Sequence, residues 1–476
     1  LSSYSLLQSP LRIPEYVKLG KELGYNALVL TDINSMYGVL DFYHECVKAG
    51  IKPIIGITLQ SGDDEYIFIA KNSNGYQNLM NISSKRLTAV DENYKNIFKL
   101  ANIKEYLQDV IVILKPSYLT VNDIISDQVT ELQTLVSAAE TTYYGVNPND
   151  RDAINNDLMA AEKLQLETIL LTPVKYLKER DYFSTKVLQA IGTGENVNPN
   201  WNLKSDGNYL HTPEEYERLG ADYLSSAYQN AINMIAQCNL TLNFPKTQLP
   251  HFKETNGLSS EDFLRKLCQE GLAKRIAEEN IKNQEEYQSR LDYELSVIHR
   301  MGFDDYFLIV WDVTNFAHEN NILTGPGRGS AAGSLVSYTL YITDIDPIKY
   351  DLIFERFLNE ERAQMPDIDL DIPDIKRDTI IEYLHQKYGQ QHMAQIITFG
   401  TLKTKQVLRD VARVFDLKTY EADAWSKAIP KEYGITLKEA YASSQSLKNL
   451  VADNSKNRLL FETAIALEGL PRHYST

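Results

Sequence analysis

The chain has 476 residues, enough for about two to four domains that each bury a core. Apolar residues make up 43% and charged residues 24%, no stretch approaches the roughly 20 apolar residues of a membrane span, and no secretory leader is visible. A net charge of −16 excludes a uniformly basic nucleic-acid binder, although a local basic face remains compatible with it. The three cysteines (Cys46, Cys238, Cys268) lie far apart without a C-x-x-C pair, which argues against a disulfide framework or a zinc site and fits a reducing cytoplasm. A first residue of Leu1 and a last stretch Arg472–Thr476 without a polar tail read as cuts within a longer protein.

From residue 1 to about 190, helical and strand patterns alternate. Helices are expected over Ile13–Leu23, with Gly24 as stop signal, and over Val39–Ala49. Strands are expected over Asn26–Thr31, Ile54–Leu59, Tyr66–Ala70, Val110–Leu114 and Thr168–Leu171. Such alternation suggests a parallel sheet or an α/β barrel. The stretch Asn243–Pro250, with two prolines, reads as a linker. Helices follow over Ser260–Glu279, Glu285–Met301 and Asp305–Asn320, the first capped by Ser259 or Ser260. Next come a glycine-rich loop at Gly325–Gly329, an apolar helix from Ala331 to about Leu340, and an acidic strand over 366–372. From Thr401 the pattern is mainly helical to the end, broken near Pro430 and Gly434.

The run Pro366-Asp367-Ile368-Asp369-Leu370-Asp371-Ile372 alternates strictly. In an extended chain its three carboxylates share one face and its apolar side chains the other. Carboxylates about 7 Å apart repel each other unless cations neutralise them. Hard oxygen ligands suit Mg²⁺, commonly held by one or two carboxylates plus substrate phosphates. In isolation the run reads equally as an edge strand with a wet acidic face.

The loop Gly325-Pro326-Gly327-Arg328-Gly329-Ser330 lets backbone N–H groups approach an anion, and a helix N-terminus is expected to follow. Arg328 can meet a phosphate with bidentate geometry, and Ser330 can donate a further hydrogen bond. No Gly-Lys-Ser/Thr follows, which excludes a Walker A loop, and the dinucleotide fingerprint is poor. The bland alternative is a turn that caps a packed helix. The pairing changes the odds, because a triphosphate loop followed by a carboxylate strand describes a nucleotidyl-transfer site. The segment 401–414 adds a helical face with Lys405, Arg409 and Arg413 at i, i+4 and i+8, opposite a packing face of Leu408, Val411 and Phe415. A basic face is commonly only solvated; beside such a site it becomes a candidate contact with DNA or nucleotide.

Several segments in order carry a resemblance: Gly325–Ser330, Ile342-Thr343-Asp344-Ile345-Asp346-Pro347, Phe354–Asn359, Pro366–Asp371, Ile396–Thr401, Met301–Val310 and Leu467–His473. Together they resemble the C-family DNA polymerases, the bacterial polymerase III alpha subunits of DnaE type. Nothing resembles an inserted proofreading exonuclease, which favours DnaE over its PolC relative. The resemblance implies a multidomain α/β protein. Its parts would be a PHP-type β/α barrel at 1–245, the first, catalytic segment of a nucleotidyltransferase-like (Pol beta-type) palm at 246–398, and a helical thumb at 399–476. Fingers and C-terminal domains, with the segment that binds the sliding clamp, would lie outside the chain. The implied activity is template-directed transfer from a deoxynucleoside triphosphate to a primer 3′ hydroxyl, assisted by two Mg²⁺ ions. Gly329 and Ser330 fall on the family's phosphate motif, joined here by Arg328, and Asp367 and Asp369 on its metal-binding aspartates. A third carboxylate is expected beyond Thr476, so the chain alone is expected to be inactive. Asp371 inherits no role.

The PHP metal positions look substituted. Leu1 stands near the second His of the first pair, Ile33 follows Asp32 where a His is expected, Thr58 replaces a Glu, and Pro173 and Lys175 replace the final Asp-x-His. No metal is therefore expected in this domain. The competing reading is a metal-dependent phosphoesterase or 3′-exonuclease working through the PHP domain.

Overall fold

The structure, a computed structural model, describes residues 1–61, 64–88, 100–116, 126–198, 203–221, 224–244, 249–362, 365–390 and 392–475. Part of the expected linker, 245–248, lies outside the described residues. Two compact units emerge: residues 1–243 with 397–476, and residues 244–396.

In the first unit, apolar runs rich in β-branched residues form six strands: β1 (Ala27–Ile33), β2 (Lys52–Ser61), β3 (Asp64–Ala70), β4 (Val110–Lys115), β5 (Thr141–Val146) and β6 (Glu167–Leu170). They pair in chain order in one sheet. Alternate residues feed separate cores. Ile55, Ile57, Val112 and Leu114 join one cluster, and Ile54, Ile111 and Ile113 join another. Burial on both faces explains the unbroken apolar runs. The sheet is mixed rather than parallel: β3 runs antiparallel to β2 and β4. Two residues separate β2 from β3, which permits a hairpin but no parallel crossover, since that takes about a dozen residues.

The last part of the chain belongs to the same unit. Helices Thr404–Val414, Thr419–Ala428, Leu437–Ser443, Gln445–Asp453 and Ser455–Leu467 share a core with Phe183, Val187, Leu188 and Ile191 of helix Tyr182–Thr193. The chain does not stay helical to its end. Strand β7 (Thr398–Thr401) pairs antiparallel with β8 (Pro471–Ser475). Tyr4 and Tyr37 meet Phe399 edge-on, with ring centroids 5.4 and 5.1 Å apart.

Asp32, at the end of β1, is 2% exposed. Its carboxylate accepts from the Ser2 N–H (2.5 Å), the Ser2 hydroxyl (2.6 Å) and the Ser5 hydroxyl (2.7 Å). The Ser5 hydroxyl oxygen in turn accepts from the Ile33 N–H at 3.1 Å. The carboxylate thereby pins the 3₁₀ turn Ser3–Ser5 to the sheet.

The second unit is helical among its described residues. Its helices are Ser260–Glu279, Gln284–Arg300, Asp304–Glu319, Leu335–Thr339 and Asp374–Tyr388. They enclose a core of Phe263, Leu264, Leu291, Ile298, Phe307, Leu335 and Phe354.

Asp32→Ala leaves buried donors without acceptors, each worth roughly 1–3 kcal/mol, so it is expected to lower unfolding stability by about 2–4 kcal/mol. Urea denaturation followed by circular dichroism measures this, and an unchanged midpoint would refute the pinning role.

Candidate active site

The acidic run 366–372 belongs to no β-strand, contrary to the sequence expectation. A strand is a paired element, and among the described residues this run is joined to the neighbouring backbone by the bond from the Gly325 N–H to the Asp371 carbonyl (2.9 Å). Packing and one phenol support the run further. Ile368 and Leu370 lie against the unit's main core, and Leu370 and Ile372 against Val313, Ala317, Ile322 and Ile380. The Ile368 N–H donates to the Tyr306 hydroxyl oxygen at 3.1 Å. Burial, and beyond it the charges of Asp367 and Asp369, push the Tyr306 phenol above its ordinary range. The alternation therefore does its expected work: the apolar side anchors, while Asp367 and Asp371 stand exposed and Asp369 is half-exposed.

The glycine loop lies beside this run. Its shape comes from close approaches. A Cβ on Gly325 would sit 2.8 Å from the Asp371 Cβ, and one on Gly327 would sit 2.7 Å from the Thr343 Cγ2. Gly327 and Gly329 also adopt positive φ, 105° and 67°, which strains any other residue. The Asp344 N–H donates to the Pro326 carbonyl at 2.8 Å, so the Ile342–Pro347 segment grips the loop from the other side.

The expected helix from Ala331 to Leu340 is broken. A 3₁₀ turn, Gly329–Gly333, ends at an extended Ser334, and a short helix, Leu335–Thr339, follows. Glu294 causes the break. Fully buried, it accepts from the Ser334 hydroxyl (3.0 Å) and the Val336 N–H (3.1 Å), groups that a continuous helix would turn elsewhere. Burial raises its pKa, against the opposing pull of the Leu335 and Val336 N–H groups and of Arg290. Arg290 donates from Nε to Glu294 (2.7 Å) and from Nη2 to the Gly333 (3.1 Å) and Leu352 (3.2 Å) carbonyls. The sequence reading missed both residues. The signal was present, because Glu294 falls on the apolar stripe of Leu291, Leu295 and Ile298.

Gly329, Arg328 and Ser330 are exposed, with Gly329 close to Asp369: a Cβ there would lie 3.3 Å from the Asp369 Oδ2. Arg328 is engaged with the acidic run. Its Nη1 lies 3.0 Å from Asp369 Oδ2, and its Nε donates to Asp371 Oδ1 at 3.0 Å. The side chains are 57%, 36% and 54% exposed for Arg328, Asp369 and Asp371. Pairs this wet are worth about 0–1 kcal/mol.

The basic helix face is partly committed within its own unit. Arg409 donates to the Ser426 hydroxyl (3.0 Å) and approaches Asp423 (3.8 Å), and Arg413 donates to the Ile191 carbonyl (3.3 Å). Lys405 is exposed, and Leu408, Val411 and Phe415 are buried as the helical period requires. At the PHP positions, Asp32 is taken up by Ser2 and Ser5. The Thr58 hydroxyl donates to the Thr31 carbonyl (2.9 Å), and the Lys175 carbonyl accepts from the Ser9 hydroxyl (2.7 Å). Among the described residues no three His, Cys, Asp or Glu side chains converge as a metal-holding group.

The chain thus combines a unit built on a mixed six-stranded sheet with a helical unit that carries the acidic run and the glycine loop. A family model described as "PHP domain" matches residues 1–146, and one described as "Bacterial DNA polymerase III alpha NTPase domain" matches residues 262–476. The DNA polymerase III subunit alpha of Bacillus subtilis is 39% identical over 498 residues, covering 100% of this chain and 43% of that protein. The subunit of the same name from Halalkalibacterium halodurans is 38% identical over 487 residues, with the same coverage. That of Pseudomonas aeruginosa is 33% identical over 497 residues, covering 99% and 42%. The chain belongs to the bacterial DNA polymerase III alpha family, and it spans less than half the length of these relatives.

Glu294→Ala removes one partner of a buried pair and is expected to cost about 3–5 kcal/mol. Denaturant titration of the variant checks this, with hydrogen exchange at 333–340 as the local readout; native-like protection there would contradict the capping role.

Proposed function

We propose that the chain carries the phosphate-binding and metal-binding part of a template-directed DNA polymerase. The observation that carries this reading is the meeting of the glycine loop with the acidic run, registered by the contacts of Arg328 with Asp369 and Asp371. The family and the names of the relatives support it. The site draws its parts from residues 43 positions apart in sequence, as a binding surface for a metal–triphosphate does.

Asp367 and Asp369 are assigned as the metal-holding carboxylates. They fit the role chemically: both are hard oxygen donors in water, and one of them already has a cationic group at its oxygen. Two Mg²⁺ ions bound there would lower the barrier by activating the primer hydroxyl and stabilising the leaving phosphate oxygens. The chain's own groups bind and orient. Gly329 and Ser330 present the loop edge to the triphosphate, Arg328 supplies a guanidinium for it, and the apolar side of the acidic run fixes where the carboxylates stand. Lys405, and secondarily Arg409 and Arg413, are assigned to the DNA backbone. Primer–template DNA and deoxynucleoside triphosphates are the substrates on this reading. A sliding clamp and other replisome proteins are the partners of the complete subunit, and the cytoplasm its compartment. No helix of the described residues is long and apolar enough to cross a membrane. The alternative phosphoesterase reading is not favoured, since Asp32 is sequestered by hydroxyl and amide donors.

In the complete subunit, Asp367→Asn and Asp369→Asn are each expected to reduce primer extension about 1000-fold or more, several kcal/mol of transition-state stabilisation, with the circular dichroism spectrum intact. Near-normal extension by either variant sinks the assignment.

A further inference from the structure

We propose that Arg328 is an exchangeable counter-ion of the acidic run, and that Asp371 is the positioning residue that holds it ready for transfer to a nucleotide phosphate. The inference rests on the metal and phosphate assignments above and gives Asp371 a role of its own.

One guanidinium reaches two carboxylates through different nitrogens: Nη1 to Asp369 Oδ2 and Nε to Asp371 Oδ1, both at 3.0 Å. A cation arriving at Asp369 meets a guanidinium of like charge already at Oδ2. Cation binding there therefore favours release of Arg328 from Asp369. Asp371 is the holder that remains. Its backbone also fixes the loop, through the Gly325 N–H to its carbonyl at 2.9 Å, and its Cβ lies against Gly325. The root of Arg328 is thus steadied from both sides, by Asp371 and by the Asp344 N–H to the Pro326 carbonyl. Only the side chain needs to move. All three side chains are more than a third exposed, so the contact is weak enough to exchange with water or with a phosphate.

This arrangement makes cation binding and nucleotide binding favour each other. A cation at Asp369 frees Arg328 for the triphosphate, and a triphosphate that takes Arg328 frees Asp369 for the cation. The coupling is reciprocal by linkage. If Asp371 were instead a third metal ligand, its loss would weaken cation binding directly.

The test measures equilibrium binding on this chain, with Mn²⁺ followed by electron paramagnetic resonance and dATP by competition against a fluorescent analogue. Arg328 is exposed, so Arg328→Ala is expected to fold, and Arg328→Lys serves as the charge-retaining control. Arg328→Ala should bind Mn²⁺ alone about 5-fold more tightly, and should lose the roughly 5-fold or larger mutual enhancement between Mn²⁺ and dATP seen in the unaltered chain. Asp371→Asn should change the Mn²⁺ affinity by less than about 3-fold while reducing that enhancement. Unchanged Mn²⁺ affinity in Arg328→Ala, or a loss of Mn²⁺ affinity in Asp371→Asn as large as in Asp369→Asn, overturns the proposal and leaves the metal assignment standing. No Mn²⁺ binding, or binding indifferent to Asp369→Asn, overturns both.

Discussion

Everything at the site depends on holding three like charges in a row. Carboxylates two residues apart in an extended chain lie about 7 Å from each other, which costs roughly 0.6 kcal/mol per pair in water and about 2 kcal/mol at an effective dielectric of 20. Because Asp367 and Asp371 are exposed and Asp369 half-exposed, the lower figure applies. Against it stand three half-buried side chains, Ile368, Leu370 and Ile372, each contributing about 1 kcal/mol or more. The apolar underside wins. The acidic run needs no sheet to persist, and the guanidinium of Arg328 only trims the remaining repulsion.

That balance explains the surrounding architecture. The loop can approach the run only where it carries no side chain against Asp371 and Asp369, hence the glycines at 325 and 329, while Gly327 clears Thr343 on the other side. It must also end abruptly, because a regular helix from 331 would redirect Ser334 and the Val336 N–H. Glu294 enforces the end from within the core, and Arg290 ties the same turn to Leu352. Positioning thus runs inward, from exposed carboxylates to a fully buried one.

Much of this was legible in the sequence, for identifiable reasons. Ile54–Leu59 and Val110–Leu114 announced strands because burial on both faces writes an unbroken β-branched run. Thr141–Val146, with two threonines and a glycine, carries no such run and went unseen until its neighbours paired with it. The alternation at 366–372 revealed which side chains face which way, yet strand assignment failed because pairing is a property of neighbours. Arg328 reads as a phosphate ligand from its place in the glycine loop and its bidentate reach. Its carboxylate partners arrive through the fold, from 43 residues away in the case of Asp371. Arg290 and Glu294 have the i, i+4 spacing of a surface pair, and only the apolar stripe through Glu294 separates it from a solvated residue.

The two units show opposite uses of one functional group. Asp32 is buried among amide and hydroxyl donors, and displacing them would leave polar groups unpaired in the core, so its partners are fixed. Asp369 keeps over a third of its side-chain surface in water and is met by a flexible cation, so its partner can be replaced at little cost. Solvent access, more than residue type, separates a carboxylate that has become structural from one still able to take a ligand. By that criterion the acidic run and its glycine loop keep groups open to a ligand, as the proposed function requires, and the pinned carboxylate of the N-terminal sheet serves the fold.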